Sequence, residues 1–285
     1  MEGEFTSKNL LIVGLGLMGS AFAQGSRSLG FSSIWALDHN EEVLRQALEE
    51  GLIDRGSSSA EELLPQADVV LVCLNLGDAI AFITDNMDRF KSGALITDIV
   101  GVKQDVVDKV LPVLRQDVDF IPGHPMAGRE KGGPLFSTAA IFLGKNYILT
   151  PLSFNKEEHH RFLRQWIQDL GFGRIIETDP QTHDARIAFT SQLCHVIAAS
   201  MVDISEDAVV TQFEGGSFQD MTRIAMINSA MWAELFVANK EELTSVLDRF
   251  IQSLTFFKEA ILNEETGTIV ERFDIISRKR EDMGK

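Results

Sequence analysis

The sequence predicts an α/β fold, a Rossmann-type dinucleotide-binding domain followed by an all-α domain. Three observations carry this reading. Short, apolar, β-branched runs alternate with helix-compatible stretches over the first 180 residues, the pattern of a parallel sheet covered on both faces. A glycine-rich turn follows the first of those runs directly. Beyond Asp179 and Pro180 the strand signal fades and long apolar helical segments take over. The 285 residues suit two domains at about 150 residues each, divided at 1–180 and 181–285.

Taken in order, residues 10–13, 33–37, 69–74, 95–100, 119–122, 146–150 and 173–177 read as buried strands, short and bounded by turn residues. Residues 20–29, 41–50 and 105–114 read as helices between them. Residues 183–203 are rich in Ala, Ile, Val and Met, apolar nearly all round, and predict a buried helix. A longer helix is predicted from 229 to about 263. There Leu243, Leu247, Phe250, Leu254, Phe257 and Ile261 recur at spacings of three and four and share a stripe. Val246 and Ile251 mark a second stripe. Such a helix needs a partner, and a second copy of the chain is the simplest, giving a homodimer through the C-terminal helices. Residues 278–285 read as a solvated charged tail.

Composition narrows the function. With 45% hydrophobic and 24% charged residues the chain is globular rather than disordered. Its 26 Lys and Arg against 42 Asp and Glu leave a net charge of −16, which argues against nucleic acid and against a negative membrane surface. No run approaches the roughly 20 apolar residues of a membrane span, and the polar N-terminus lacks a basic leader. Cys73 and Cys194 lie far apart in apolar runs. They make neither a disulfide framework nor a metal site and suit a reducing cytoplasm.

Gly14, Gly16 and Gly19 stand in G-x-G-x-x-G spacing between the first strand and the first helix. That arrangement gives a tight turn, close approach of backbone to a pyrophosphate, and helix N–H donors at Leu17 and Met18. Asp38, 19 residues after Gly19 at the end of the next strand, would accept hydrogen bonds from ribose hydroxyls and repel a 2′-phosphate, favouring NAD over NADP. The bland alternative for Asp38 is a helix N-cap, a role open to Asn40 as well.

A second set of residues is more specific. Gly123-His124-Pro125-Met126-Ala127-Gly128 is followed by Glu130, preceded by Thr97, Asp98 and Lys103, and joined downstream by Gly215 to Ala225. With His183-Asp184, Ser191 and His195, Met231-Trp232 and Asn239-Lys240, it resembles the prephenate/arogenate dehydrogenase family of tyrosine biosynthesis, in monofunctional form, from about residue 10 to 240. The resemblance implies a Rossmann domain, a helical domain that dimerises, and a small-molecule substrate between them. It also implies NAD-dependent oxidative decarboxylation of prephenate to 4-hydroxyphenylpyruvate.

That chemistry needs a base near neutral pKa, a cation for a carboxylate, and a water-poor pocket. His124 is the candidate base, on a rigid loop position after a strand, at the edge where open α/β sheets bind ligands. The resemblance implies that it accepts a hydrogen bond from the substrate hydroxyl. Arg223 is the candidate carboxylate clamp, because a guanidinium holds two oxygens at once; Lys103 and Arg129 are the next candidates. Gly216 opens the turn beside Arg223. Glu130 either orients the site or is solvated. His195 is either a substrate contact or a core histidine bonded to backbone, and Trp232 is a packing residue near the site.

The chain departs from the family at Gly101, where a serine is usual, and in Ser191-Gln192-Leu193-Cys194-His195. A water or Thr97 is expected to replace the serine hydroxyl. Arogenate carries an ammonium where prephenate has a keto group. No acid directly flanks His195, leaving Asp184 and Glu214 as its acceptors, so prephenate is favoured. A β-hydroxyacid dehydrogenase would carry a lysine in the helical part, and none occurs between Thr178 and Asn239. A non-catalytic NAD-sensing dimer would lack the base and the clamp.

Overall fold

A computed structural model describes residues 5–128, 138–205 and 208–283. The chain packs as two units, Met1–Asn239 and Lys240–Lys285, and each is described by itself.

The first unit is built on β1 (Asn9–Val13), β2 (Ser33–Leu37), β3 (Arg55–Ser57), β4 (Val69–Val72), β5 (Leu95–Asp98) and β6 (Asp119–Phe120). They form one parallel sheet in the order β3-β2-β1-β4-β5-β6. Because side chains alternate along a strand, β1 sends Leu10 and Ile12 to one layer and Leu11 and Val13 to the other. The first layer contains α1 (Leu17–Arg27), α2 (Glu41–Glu49) and α6 (Glu157–Asp169), with Phe22, Leu44 and Trp166 in its core. The second contains α3 (Ala60–Leu63), α4 (Leu76–Asp85), α5 (Gln104–Val110) and α10 (Ser229–Ala238), with Leu63, Ile83, Val106 and Leu235. Burial on both faces explains why the strand sequences read as continuous apolar runs.

Two predicted strands leave this sheet. The segments near 146–150 and 173–177 form β8 (Asn146–Leu149) and β9 (Arg174–Glu177) of a separate sheet, with β7 (Gly123–Pro125) antiparallel to β8. The reason lies after β6. The Gly123 N–H reaches the Asp98 carboxylate (3.3 Å) instead of a neighbouring strand, and the chain turns away. His124 therefore sits on a short strand, not in a loop. β3 escapes sequence reading because Arg-Gly-Ser has no apolar pattern; it is held by pairing to β2 and by Arg55 lying 4.9 Å over the Trp35 ring.

Past residue 180 the unit is helical: α7 (Pro180–Ile187), a π turn (Ala188–Gln192), α8 (Leu193–Asp203) and α9 (Gly216–Thr222) precede α10. Asp179 caps α7 by accepting the Thr182 N–H (2.8 Å). Two expectations are corrected here. The stretch is not wholly buried, since Phe189 and Val202 are exposed on the single chain. Nor is it too short of apolar residues for a membrane. By length and hydropathy alone Pro180–Asp203 would pass as a span. Its His183 and Asp184 are nonetheless buried and hydrogen-bonded within protein.

The predicted helix 229–263 is also interrupted. At Asn239, where φ is −107° and ψ 29°, the buried side-chain amide donates to the Asp184 carbonyl (3.0 Å) and to Gln192 Oε1 (2.8 Å). α10 ends there.

The second unit comprises α11 (Lys240–Leu262) and α12 (Thr266–Asp282), joined by a turn in which Glu264 takes a left-handed φ of 58°. Phe257 stacks on Phe273 at 5.3 Å, and Arg272 covers Phe256. Residues 278–282, read as tail, belong to α12 but stay exposed. Of the predicted stripes, Leu243 and Val246 are buried, whereas Ile251, Leu254 and Ile261 are exposed.

Candidate active site

The main strands are parallel, so their carboxyl ends share one edge. At the end of β1, Gly14 has φ +90°, and a Cβ there would lie 2.7 Å from the Cys73 carbonyl oxygen. At Gly19 a Cβ would come within 1.9 Å of the Gly14 carbonyl oxygen. Only glycine allows α1 to start this close to the sheet. Gly16 is the N-cap of α1 and opens on free space. Leu17 and Met18 begin the helix and present its first N–H groups. Asp38 follows β2, with one carboxylate oxygen accepting the Leu15 N–H (2.8 Å) and the other the Asn40 N–H (2.9 Å). Asn40 is the cap of α2, accepting from Glu42 and Val43. Asp38 is thus a fixed acceptor beside the glycine turn. The steric room at Gly16 and the acidic group at Asp38 fit a dinucleotide with unphosphorylated ribose.

The second group gathers at the end of β5. Asp98 accepts the Val100 N–H (3.0 Å) and the Gly123 N–H, and pairs with Lys103 Nζ at 2.5 Å. Asp98 and Lys103 are fully buried, so Lys103 is engaged and not available as a carboxylate clamp. The latch on Gly123 fixes the next residue, His124. Its Nδ1 lies 2.9 Å from His183 Nε2, and His183 Nδ1 lies 2.7 Å from Asp184 Oδ1. His124 keeps some exposed surface, yet desolvation, then His183 and Lys103, hold its pKa well below the usual histidine value. Desolvation also lowers His183, opposed by its bond to Asp184. A Cβ on Gly101 would lie 3.9 Å from His124 Cε1 and 3.4 Å from Leu235. The position of the missing family serine therefore faces the candidate base.

His195, on α8, has Nδ1 3.0 Å from the Ile224 carbonyl oxygen and its ring centroid 3.8 Å from that of Trp232. The backbone-bonded reading of His195 is thereby met, and its ring lies against Trp232. The Ile224 contact places His195 beside the turn Arg223–Ala225, where Arg223 is exposed. Gly216 begins α9, with open space around it. Trp232 and Leu235 are three residues apart on α10 and so share a face. That helix links the His195 group to the Gly101 and His124 group. Glu130 and Arg129 lie outside the described residues. Among the described residues no group of His, Cys, Asp and Glu could hold a metal ion. His183 and Asp184 were visible in sequence only as motif matches; their role needs the fold, which brings them 59 residues back to His124.

The nucleotide-binding domain of prephenate dehydrogenase, as a sequence family, matches residues 22–177, and the dimerization domain of the same enzyme matches residues 179–275. The chain belongs to the prephenate dehydrogenase family. It is 28% identical to the cyclohexadienyl dehydrogenase of Zymomonas mobilis over 93% of this chain and 92% of that one. The prephenate dehydrogenase of Bacillus subtilis is 26% identical, over 96% of this chain and 76% of the relative. A crystal structure of Aquifex aeolicus prephenate dehydrogenase, in complex with hydroxyphenyl propionate and NAD+, superposes with a TM-score of 0.87 at 30% identity, covering 97% and 98% of the two chains. Membership makes this chain a dehydrogenase with a nucleotide-binding α/β domain and a helical domain after it.

Proposed function

We propose that this dehydrogenase oxidises prephenate to 4-hydroxyphenylpyruvate with NAD, releasing CO2, as a cytoplasmic homodimer in tyrosine biosynthesis. The observation that carries the reading is His124, held neutral at the carboxyl edge beside Gly101. A neutral imidazole there accepts the proton of the substrate hydroxyl. NAD, when bound, supplies the hydride acceptor. Gly14, Gly16, Leu17, Met18 and Gly19 hold its pyrophosphate and Asp38 its ribose. The NAD+ complex of the Aquifex relative supports this assignment. Arg223 holds a substrate carboxylate, with His195, Gly216 and Glu130 as further contacts. Loss of the ring carboxylate then yields the aromatic product.

The substrate choice rests on acids near the site. Asp184 already accepts from Lys103 N, Gln104 N and His183 Nδ1, so it does not serve an ammonium. Glu214, beside Gly215, already accepts from Gln219 (3.0 Å), and Glu130 lies outside the described residues, so among the described residues no acid near the site is left open to an ammonium. This supports prephenate over arogenate. We divide the labour at residue 180, with the cofactor on 1–180 and with 181–285 supplying substrate contacts and the dimer face. Within the second unit, exposed Ile251, Leu254 and Phe273 are apolar surface for that face. The test is NADH formation, followed by absorbance, with prephenate, arogenate and 3-hydroxyisobutyrate as parallel substrates. Prephenate is expected to have the highest kcat/KM; higher values with arogenate overturn the substrate choice, and activity on the hydroxyacid alone overturns the chemistry.

A further inference from the structure

We infer that His183 and Asp184 are positioning residues that fix the tautomer of His124, leaving its Nε2 as the atom that takes the substrate proton. The inference rests on the reading of His124 as the base. It follows from a chain of hydrogen bonds with one free end.

Asp184 begins the chain. Its Oδ1 accepts the Lys103 N–H at 2.8 Å and its Oδ2 the Gln104 N–H at 2.9 Å. These groups lie at the start of α5, where Lys103 is the N-cap and offers no side-chain cap of its own. A carboxylate is favoured there by the orphan N–H groups and by the helix dipole. Toward His183 Nδ1, 2.7 Å away, this carboxylate is an acceptor, so Nδ1 carries the hydrogen. In a neutral ring the other nitrogen, Nε2, then carries the lone pair. His124 Nδ1, at 2.9 Å from that lone pair, must donate. Its own Nε2 is left as an acceptor. An imidazole in water prefers the opposite tautomer, with hydrogen on Nε2, so without this chain the base would present a donor to the substrate.

Burial supports the neutral state of both rings, as desolvation lowers His124 and His183 alike. The charged groups facing them are Lys103, Asp98 and Asp184. Protonation of His183 would reverse the order: His124 Nδ1 would become the acceptor and Nε2 the donor. The base is therefore lost on protonation of either ring.

The experiment uses the full-length protein labelled with 15N in its imidazoles, without substrate or cofactor. Six histidines keep the nitrogen–proton correlation spectrum readable, and His124→Asn assigns the resonances. Wild type is expected to show His124 protonated on Nδ1 only. His183→Leu is expected to shift His124 to the Nε2-protonated form and to lower kcat on prephenate at least tenfold, with KM within about twofold. His183→Gln, which keeps an acceptor oxygen, is expected to restore the tautomer and most of kcat. A wild-type His124 protonated on Nε2 overturns the inference. So does a His183→Leu enzyme with unchanged tautomer and kcat. If His183→Leu fails to fold, the wild-type spectrum and the glutamine variant decide. A protein that shows the expected tautomer but does not oxidise prephenate refutes the proposed reaction and not the hydrogen-bond chain.

Discussion

The glycine turn and the base cluster lie on one edge of the sheet but are assembled differently. The turn closes within a short stretch of chain: Leu15 reaches Asp38 across 23 residues, and Gly19 packs on Gly14. Its specificity is mostly backbone shape. The base cluster draws Asp98 to Gly123 across 25 residues, His124 to His183 across 59, and Lys103 to Asp184 across 81. Its specificity is a set of buried polar side chains, each costly to leave without its partner. If the two regions hold the cofactor and the base as proposed, the difference predicts that substitutions in one leave the other's function intact.

The largest effect is expected at the base. His124→Asn should lower kcat by about 10² to 10⁴, the range typical of a positioned general base, while NAD affinity measured by fluorescence titration stays unchanged. A loss of NAD binding would merge the two regions. The same comparison has a pH form. A base at His124, as proposed, works only when neutral, and burial depresses its pKa. In wild type the acid limb of kcat/KM should therefore lie below the ordinary histidine value of about 6.5. A limb at or above that value contradicts a buried neutral ring.

Arg223→Ala is next. A charge-assisted contact is worth about 1.5–3 kcal/mol, so KM for prephenate should rise about tenfold or more with NAD binding intact. With Lys103 paired to Asp98, an unchanged KM would move the clamp to Arg129. Asp38→Ala combined with His39→Arg should act on the other region alone, shifting preference from NAD toward NADP without moving the acid limb. A starting preference for NADP would sink the assignment of Asp38.

The smallest effect is expected at Gly101. It does not adopt a left-handed φ, and the nearest atoms to a Cβ there are on Leu235 at 3.4 Å and His124 Cε1 at 3.9 Å, ordinary contact distances. Backbone strain is therefore no obstacle to substitution. Gly101→Ser places a hydroxyl beside the base and should change kcat/KM by less than about tenfold, with Gly101→Ala as the control for bulk alone. Equal, large losses in both would show that space at this position, not a hydroxyl, is what the reaction needs.

How much of this was legible in the sequence follows the same division. Strands β1, β2, β4 and β5 read correctly because burial on both faces leaves continuous apolar runs, and the glycine turn reads because its parts are contiguous. β3 and β7 did not, since Arg55–Ser57 and Gly123–Pro125 carry no apolar pattern and exist by pairing. The break at Asn239 was hidden because it comes from a polar side chain bonded to Asp184 and Gln192, not from a proline or glycine. His124 was found from its motif. Its partners were found as motif residues without a task, because no local spacing says that residue 183 returns to residue 124.

The acid at the start of α5 bears on modularity. Lys103 and Gln104 present N–H groups to a carboxylate that arrives only with α7. A fragment ending at residue 180 would begin α5 without it, a loss on the scale of a missing cap, about 0.5–2 kcal/mol. The nucleotide-binding half is thus not a self-sufficient cassette. A chimaera that grafts a different helical segment onto it keeps a well-formed α5 only if the graft returns an acid to this spot.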